Sequence, residues 1–348
     1  MAPKVVTEDA LKTLINKLTP QYQIFGPKKK KNEHTFEIVT PEELDLNYGT
    51  TILPPKKLVI PQRENFLELK PDGKVTLQTP SFEKKRMIFG IHPCDLNGLL
   101  FLDKVFLDLF PSEIYRIRRK NLVTVALGCR EVLDTCFCSS LGTGPSIEDG
   151  FDVLLTPIEG GFLIEAGSCE GEEIVGKVDG RIATDKDLLS KKRSIEETKR
   201  KFKRSIDTDG LPELFEKNIN HDLWRRLGEA DLACAQCIMS CPTCYCFDVR
   251  DSLSIDLQTC SRYREWDACF LLEFSEVALG GNFRRDRAAR VRQFMGHNLG
   301  WGGASQYPSS LNRFKCVGCG RCIRTCPVHI DITEVVAELR GERRERSL

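Results

Sequence analysis

Four cysteines and a proline crowd into one short run, Cys316, Cys319, Cys322 and Cys326–Pro327. No other feature restricts the fold as much. Two-residue spacers make tight turns that present several thiolates to one polynuclear centre. The pattern C-x2-C-x2-C-x3-C-P is the bacterial ferredoxin run for a 4Fe–4S cluster: three cysteines wrap one cluster, and the fourth, before proline, reaches across to a second. A lone tetrahedral zinc instead takes two pairs of ligands separated by a longer loop.

A crossing fourth ligand demands a partner run, and "DLACAQCIMSCPTCYC" supplies one. Cys234, Cys237 and Cys241–Pro242 fill its last three positions. The first position holds Asp231, not cysteine. Three readings fit: Asp231 ligates iron through its carboxylate, a spare thiol (Cys244, Cys246, Cys260 or Cys269) moves in, or the cluster is a three-iron form. A substitute ligand is expected, with Asp231 and the spare cysteines on an equal footing. Without a ligand role, Asp231 would simply cap the following helix.

The chain carries 16 cysteines, none before Cys94 and eleven between Cys234 and Cys326. No apolar run is long enough to span a bilayer. The start, "MAPKVVTEDALKTLINKL", reads as an amphipathic helix rather than a secretory signal. A cytoplasmic location is therefore expected, where dense thiols serve metal or redox chemistry rather than disulfides. A net charge of +1 over 348 residues gives no overall attraction to nucleic acid or acidic lipid. The basic stretches lack interleaved aromatics, so no nucleic-acid partner and no membrane span are expected.

Up to about residue 183 the chain reads as a mixed α/β domain. "KKLVI", "RMIFGI", "LVTVALG" and "FDVLLTPI" are short apolar, β-branched runs, and "GGFLIEAGS" is a hairpin partner for the last. "DLNGLLFLDKVFLDLF" reads as a helix capped by Asp95. Cys94 follows one strand; Cys129, Cys136 and Cys138 follow another. Loops after adjacent parallel strands open at the same sheet edge, so these four thiols are expected to meet there. They suit a third 4Fe–4S cluster, a structural zinc or unligated thiols, and the cluster is the expectation.

Residues 184–220 read as a charged connecting helix, 221–340 as a helical ferredoxin-like 4Fe–4S dicluster domain, and 341–348 as a frayed tail. No G-x-G-x-x-G follows a strand, and no acid–base or nucleophile–base set stands out. Redox centres without substrate chemistry describe an electron-transfer chain rather than a catalytic subunit.

Taken together, "NYGTTILPPKKLVIPQREN", "FGIHPCDLNGLLFLDKVFLD", the Cys129–Cys138 segment, "CPTCYCFDVRD", "REWDACF" and "GGNFR" resemble the beta subunit of cytoplasmic nickel–iron hydrogenases of the sulfhydrogenase type. The architecture is also similar to the A subunit of anaerobic sulfite reductase. The resemblance implies an iron–sulfur subunit that relays electrons. Its partners would be a nickel–iron large subunit, a small iron–sulfur subunit and a subunit binding FAD and NAD(P). The alternative terminal enzyme is a sulfite reductase or a heterodisulfide-reductase-like complex. By the same resemblance, Cys234, Cys237, Cys241, Cys316, Cys319, Cys322 and Cys326 match the two-cluster run, and Cys94, Cys129, Cys136 and Cys138 match the N-terminal cysteines. Cys244, Cys246 and Cys269 match the pattern with an open role. Asp231 departs from it, and Cys169 and Cys260 have no counterpart.

Overall fold

The structure is a computed structural model and describes residues 1–301 and 314–342. Strand β1 (Lys4–Val6) leads into helix α1 (Glu8–Leu18). The helix starts where the Thr7 side chain accepts from the Ala10 amide, with Glu8 and Asp9 in the first turn, which suits both the free amides and the dipole. Its buried stripe is Leu11, Leu14, Ile15 and Leu18. Strands β2 (Tyr22–Lys30) and β3 (Glu33–Ile38) form a hairpin, as do β4 (Arg63–Leu69) and β5 (Val75–Leu77). Then come β6 (Lys85–Ile91), α2 (Pro93–Asp103), α3 (Glu113–Lys120), β7 (Leu122–Leu127), β8 (Val153–Ile158), β9 (Gly161–Ala166), α4 (Cys169–Gly176) and β10 (Arg181–Ile182).

Eight of these strands form one mixed sheet in the order β10-β1-β9-β8-β7-β6-β2-β3. The pairs β2/β6, β6/β7 and β7/β8 are parallel. Every residue of β7 and β8 is buried, which explains why their sequences are continuous apolar runs without alternation. The expected hairpin partner is β9, antiparallel to β8.

The later part contains α5 (Asp185–Lys199), α6 (Leu211–Lys217), α7 (Leu223–Ala230), α8 (Gln236–Met239), β11 (Phe247–Leu253), β12 (Cys260–Trp266), α9 (Arg287–Leu299), α10 (Arg321–Arg324) and α11 (Ile332–Leu339). Helix α5 opens with a capping box between Thr184 and Asp187. It lies on the sheet: Lys191 pairs with Glu165 at 2.5 Å, and the Thr198 hydroxyl donates to the Cys129 carbonyl at 3.2 Å. A second core gathers Phe215, Trp224, Ile238, Phe270, Phe294 and Val336 around Phe137, which comes from the first part.

Three features depart from the sequence reading. "KKLVI", expected as a strand, is instead a single turn over Pro55–Leu58 with Val59 and Ile60 buried behind it. The helical region contains the hairpin β11–β12, and β12 pairs with β4, so the two parts share the sheet β11-β12-β4-β5. "FDVRDSL" shows almost complete exposure, so it lacks the apolar alternation by which a strand is recognised. Helix α2 is not capped by Asp95: His92 precedes it with no side-chain cap, and Pro93 starts it. Asp95 is instead buried against Arg321, with oxygen-to-nitrogen distances of 2.6 and 2.7 Å. Of the expected tail, residues 343–348 lie outside the described residues. Among the described residues no helix is long and apolar enough to cross a membrane.

Candidate metal centre

The two cysteine runs fold alike, position by position. Gly318 and Gly320 adopt left-handed backbone (φ 61° and 72°), and their counterparts Ala233 and Ala235 do the same (φ 53° and 60°). A left-handed alanine costs about 1–2 kcal/mol, and such a conformation persists only where the surrounding structure demands it. Each run then makes a four-residue helix, α8 or α10, ending at Ser240 or Thr325. Those two residues occupy the same place in each run, and their hydroxyl oxygens meet at 3.3 Å. The runs are thus related by an approximate two-fold through that contact.

Under this relation Asp231 stands where Cys316 stands in the other run. The Gly318 amide donates to Cys316 Sγ at 3.3 Å; the Ala233 amide donates to Asp231 Oδ2 at 3.0 Å. The carboxylate therefore takes the backbone hydrogen bond of the thiolate it replaces. Asp231 is buried, and burial pushes its carboxyl above the usual carboxylate range against the pull of the Ala233 amide.

A cavity lies between the runs, lined by Cys241, Cys316, Cys319 and Cys322, with Phe137, Phe294 and Ile332 closing it. This is three cysteines of one run plus the pre-proline cysteine of the other, the ligand set of a ferredoxin-type 4Fe–4S cluster. The complementary group is Asp231, Cys234 and Cys237 with Cys326: beyond burial, Asp231, Cys326 and Cys234 act most strongly on the Cys237 thiol and help push it up. The Ile330 amide donates to Cys326 Sγ at 3.2 Å, a bond of the kind that tunes cluster potentials. Burial raises the thiols of Cys316, Cys322 and Cys237, and that of Cys319 to about 11. A metal must therefore displace protons to bind them. Among the described residues no three His, Cys, Asp or Glu side chains close on one point as ligands of a single ion do. Thiols spread around a cavity suit the larger cubane.

The N-terminal four cysteines also converge. Cys94 sits in the first turn of α2 after β6, and Cys129 follows β7. Cys129 Sγ lies 3.5 Å from His92 Nδ1. Burial pushes the Cys138 and Cys94 thiols well up, with Cys129, Cys136 and Cys319 adding to the first and Asp95, Cys138 and Cys319 to the second. Cys94, Cys138, Val317 and Cys319 form one buried group, and Cys136 Sγ is 3.7 Å from the Cys319 carbonyl oxygen. The sheet-edge thiols thus back directly onto the ferredoxin loop. The Phe137 amide donates to the Gly318 carbonyl at 2.9 Å.

That approach leaves no room for a side chain at Gly320, where an added Cβ would lie 2.2 Å from the Thr135 carbonyl oxygen. Gly320→Ala should cost at least about 2 kcal/mol, through the left-handed backbone and the clash together. Gly73→Ala is the control, because it shares the left-handed φ with nothing nearby. Denaturant midpoints of the two variants check this; equal losses would contradict it.

Cys244, Cys246 and Cys269 gather elsewhere, beside Cys241, with two buried lysines. Lys315 Nζ is 3.7 Å from Cys244 Sγ, and Lys56 Nζ is 2.6 Å from the Cys244 carbonyl oxygen. Burial pulls the Lys315 ammonium down, but Cys244, Cys241 and Cys246 hold it above its ordinary range; burial lowers Lys56. Neither lysine was singled out from the sequence, where both look like ordinary surface cations. Cys260 begins β12, away from this group, and Cys169 begins α4 on the sheet.

Fold and thiol geometry define a 4Fe–4S dicluster protein, and residues 231–330 match the family model described as a 4Fe-4S dicluster domain. Over 328 residues the chain is 34% identical to sulfhydrogenase 2 subunit beta of Pyrococcus furiosus, covering 93% of this chain and 94% of that protein. The chain belongs to this family of hydrogenase beta subunits. No solved structure matches it.

Proposed function

We propose that this chain is the electron relay of a soluble multisubunit nickel–iron hydrogenase, with three iron–sulfur clusters in series. The first is held by Cys94, Cys129, Cys136 and Cys138. The second is held by Cys316, Cys319, Cys322 and Cys241, and the third by Cys234, Cys237, Cys326 and Asp231. Each cluster would accept and pass one electron; the chain's own residues fix spacing, burial and hydrogen bonding, which set potentials.

The observation that carries this reading is the packing of Cys94 and Cys138 against Cys319. It makes the sheet-edge site and the central cavity neighbours with no intervening layer. At the other end Cys234 is exposed, so the third cluster has a face toward solvent or a partner. The chain is therefore a path with a buried middle, as a relay between two other redox proteins requires. The partners proposed are a nickel–iron large subunit, a small iron–sulfur subunit and an FAD- and NAD(P)-binding subunit. The named relative, itself a sulfhydrogenase subunit, supports this choice.

The test is metal and flavin content of the complex purified anaerobically with this chain. About one nickel per chain, together with FAD, is the expected result. Iron without nickel would overturn the hydrogenase reading, and siroheme in the spectrum would favour a sulfite reductase. The relay itself is tested by EPR of the dithionite-reduced chain. Magnetic coupling between clusters is expected, and its loss in Cys94→Ser with the other two signals intact would locate the first cluster. Three uncoupled signals would overturn the series arrangement.

A further inference from the structure

The segment that joins the two parts of the chain lies along the sheet-edge thiol loop. The Thr198 hydroxyl donates to the Cys129 carbonyl at 3.2 Å, and Lys201 Nζ donates to the Arg130 carbonyl at 2.9 Å. Phe202 packs on the group formed by Cys94, Cys138, Val317 and Cys319. Lys203 pairs with Asp134 at 2.9 Å, and the Ile206 amide donates to Ser140 Oγ at 3.2 Å. The segment thus roofs the sheet-edge site, and its outer side chains form the surface over that site.

That surface is basic. Residues 191–204 hold eight Lys and Arg against two Glu, in a chain whose net charge is only +1. Lys191, Lys199, Lys203 and Arg204 pair with Glu165, Glu196, Asp134 and Asp331. Among the described residues Lys192, Arg193, Arg200 and Lys201 form no ion pair, and all four are exposed. Arg130 is exposed beside them, its guanidinium 4.8 Å from the centre of the Phe162 ring. The acids left next to these five cations in the chain are the exposed Glu131 and Glu197. An ordinary solvated face intersperses the two signs; this one does not. Large apolar side chains are absent from it, since none is exposed between Leu189 and Ile219. They are exposed instead on the sheet β11-β12-β4-β5, at Leu69, Val75, Leu77, Phe247, Val249 and Leu253. A permanent subunit interface is built on apolar anchors. A brief redox encounter is small and is steered by charge. The roof over the sheet-edge thiols has the second character. Nucleic acid is disfavoured as its occupant, because no aromatic side chain is exposed there for bases to stack on.

We propose that residues 191–204, with Arg130, form the docking surface for a separate one-electron carrier protein with an acidic face, which exchanges electrons with the sheet-edge cluster beneath. No bond is made or broken. The carrier's centre gives up one electron and the cluster gains it, or the reverse. The inference rests on the cluster proposed above at Cys94, Cys129, Cys136 and Cys138.

The test follows, by stopped-flow absorbance, the reduction of the anaerobically purified complex by fully reduced flavodoxin. This probe is an acidic one-electron carrier whose oxidation is visible apart from iron–sulfur absorbance. The second-order rate is expected to fall about tenfold between low salt and about 0.3 M salt. Lys192→Gln/Arg193→Gln/Arg200→Gln should lower the low-salt rate about tenfold and flatten its salt dependence. Lys12→Gln/Lys74→Gln/Lys120→Gln removes the same charge at exposed lysines off this surface and should leave both near wild type. EPR of the dithionite-reduced variants should keep the wild-type cluster signals, since only exposed side chains change. A wild-type rate independent of salt, or equal losses in the two variants, would overturn the proposal and leave the relay standing. So would labelled duplex DNA that binds the wild type at physiological salt and not the first variant, with the flavodoxin rate unchanged between them. Absence of the first-cluster EPR signal from the wild type would instead remove the three-cluster relay, and this docking surface with it.

Discussion

Arg321→Met should destabilise the chain by about 3–5 kcal/mol, the cost of breaking a buried ion pair by removing one partner. Both side chains are closed off from solvent, at 1% for Arg321 and 0% for Asp95. The guanidinium makes a two-pronged bond to the Asp95 carboxylate and donates to the Thr51 carbonyl at 2.6 Å and the Thr51 hydroxyl at 3.1 Å. Removing it leaves a buried carboxylate with no counter-charge. Arg321→Lys restores charge but not the planar fork, so it should recover only part of the loss. Arg321→Met with Asp95→Leu should recover more than Arg321→Met alone, because no orphan charge remains. Denaturant unfolding of the anaerobic full chain measures all three. A loss below about 1 kcal/mol in Arg321→Met would contradict the argument, being what an exposed pair contributes.

The position of this pair gives it a further consequence. Asp95 directly follows Cys94, and Arg321 directly precedes Cys322. One ion pair therefore pins the sheet-edge thiol loop to the ferredoxin loop. Arg324 adds a second tie across the same boundary through Glu33 and the Thr50 carbonyl. Iron at the sheet-edge site, where a cluster is proposed above, should accordingly be lost before iron in the central cavity when Arg321→Met is titrated with chelator.

The cysteine pattern was legible because ligand spacing is local. Turns of two residues between Cys316, Cys319 and Cys322 can be read directly, and the same spacing rule anticipates that Cys241 of the other run lines their cavity. The parallel order of β6 and β7 was legible from apolar runs either side of a helix. What lay hidden was long-range charge. Nothing local marks Arg321 or Lys315 as buried, since their partners Asp95 and Cys244 are 226 and 71 residues away. The hairpin β11–β12 escaped for a different reason: its pairing with β4 stabilises strands whose side chains are largely exposed, so the sequence carries turn and charge but no alternation. Asp95 misled because an acidic residue in a first helical turn ordinarily serves the helix, and here it serves an arginine from the other part of the chain.

Asp231→Ala should lose about one iron per chain from the third cluster, giving the EPR signature of a three-iron centre. Asp231→Cys should retain the wild-type iron count with a changed potential. The geometry favours the carboxylate over a migrating thiol for two reasons. Asp231 takes the same backbone bond as Cys316, at the same step before a left-handed residue. The spare thiols Cys244, Cys246 and Cys269 interact with Lys315 near Cys241, while the charged groups acting chiefly on Cys237 are Asp231, Cys326 and Cys234. If a spare cysteine did fill the corner, Asp231→Ala would keep its iron and the wild-type spectrum, and the carboxylate would be a structural acceptor only. Cysteine should fit at 231 without backbone movement, because Cys316 already shows that sulfur in this turn, hydrogen-bonded by the amide two residues on. Any difference in potential between wild type and Asp231→Cys then reports the ligand atom itself, oxygen against the softer sulfur that iron–sulfur clusters prefer, rather than a rearranged loop.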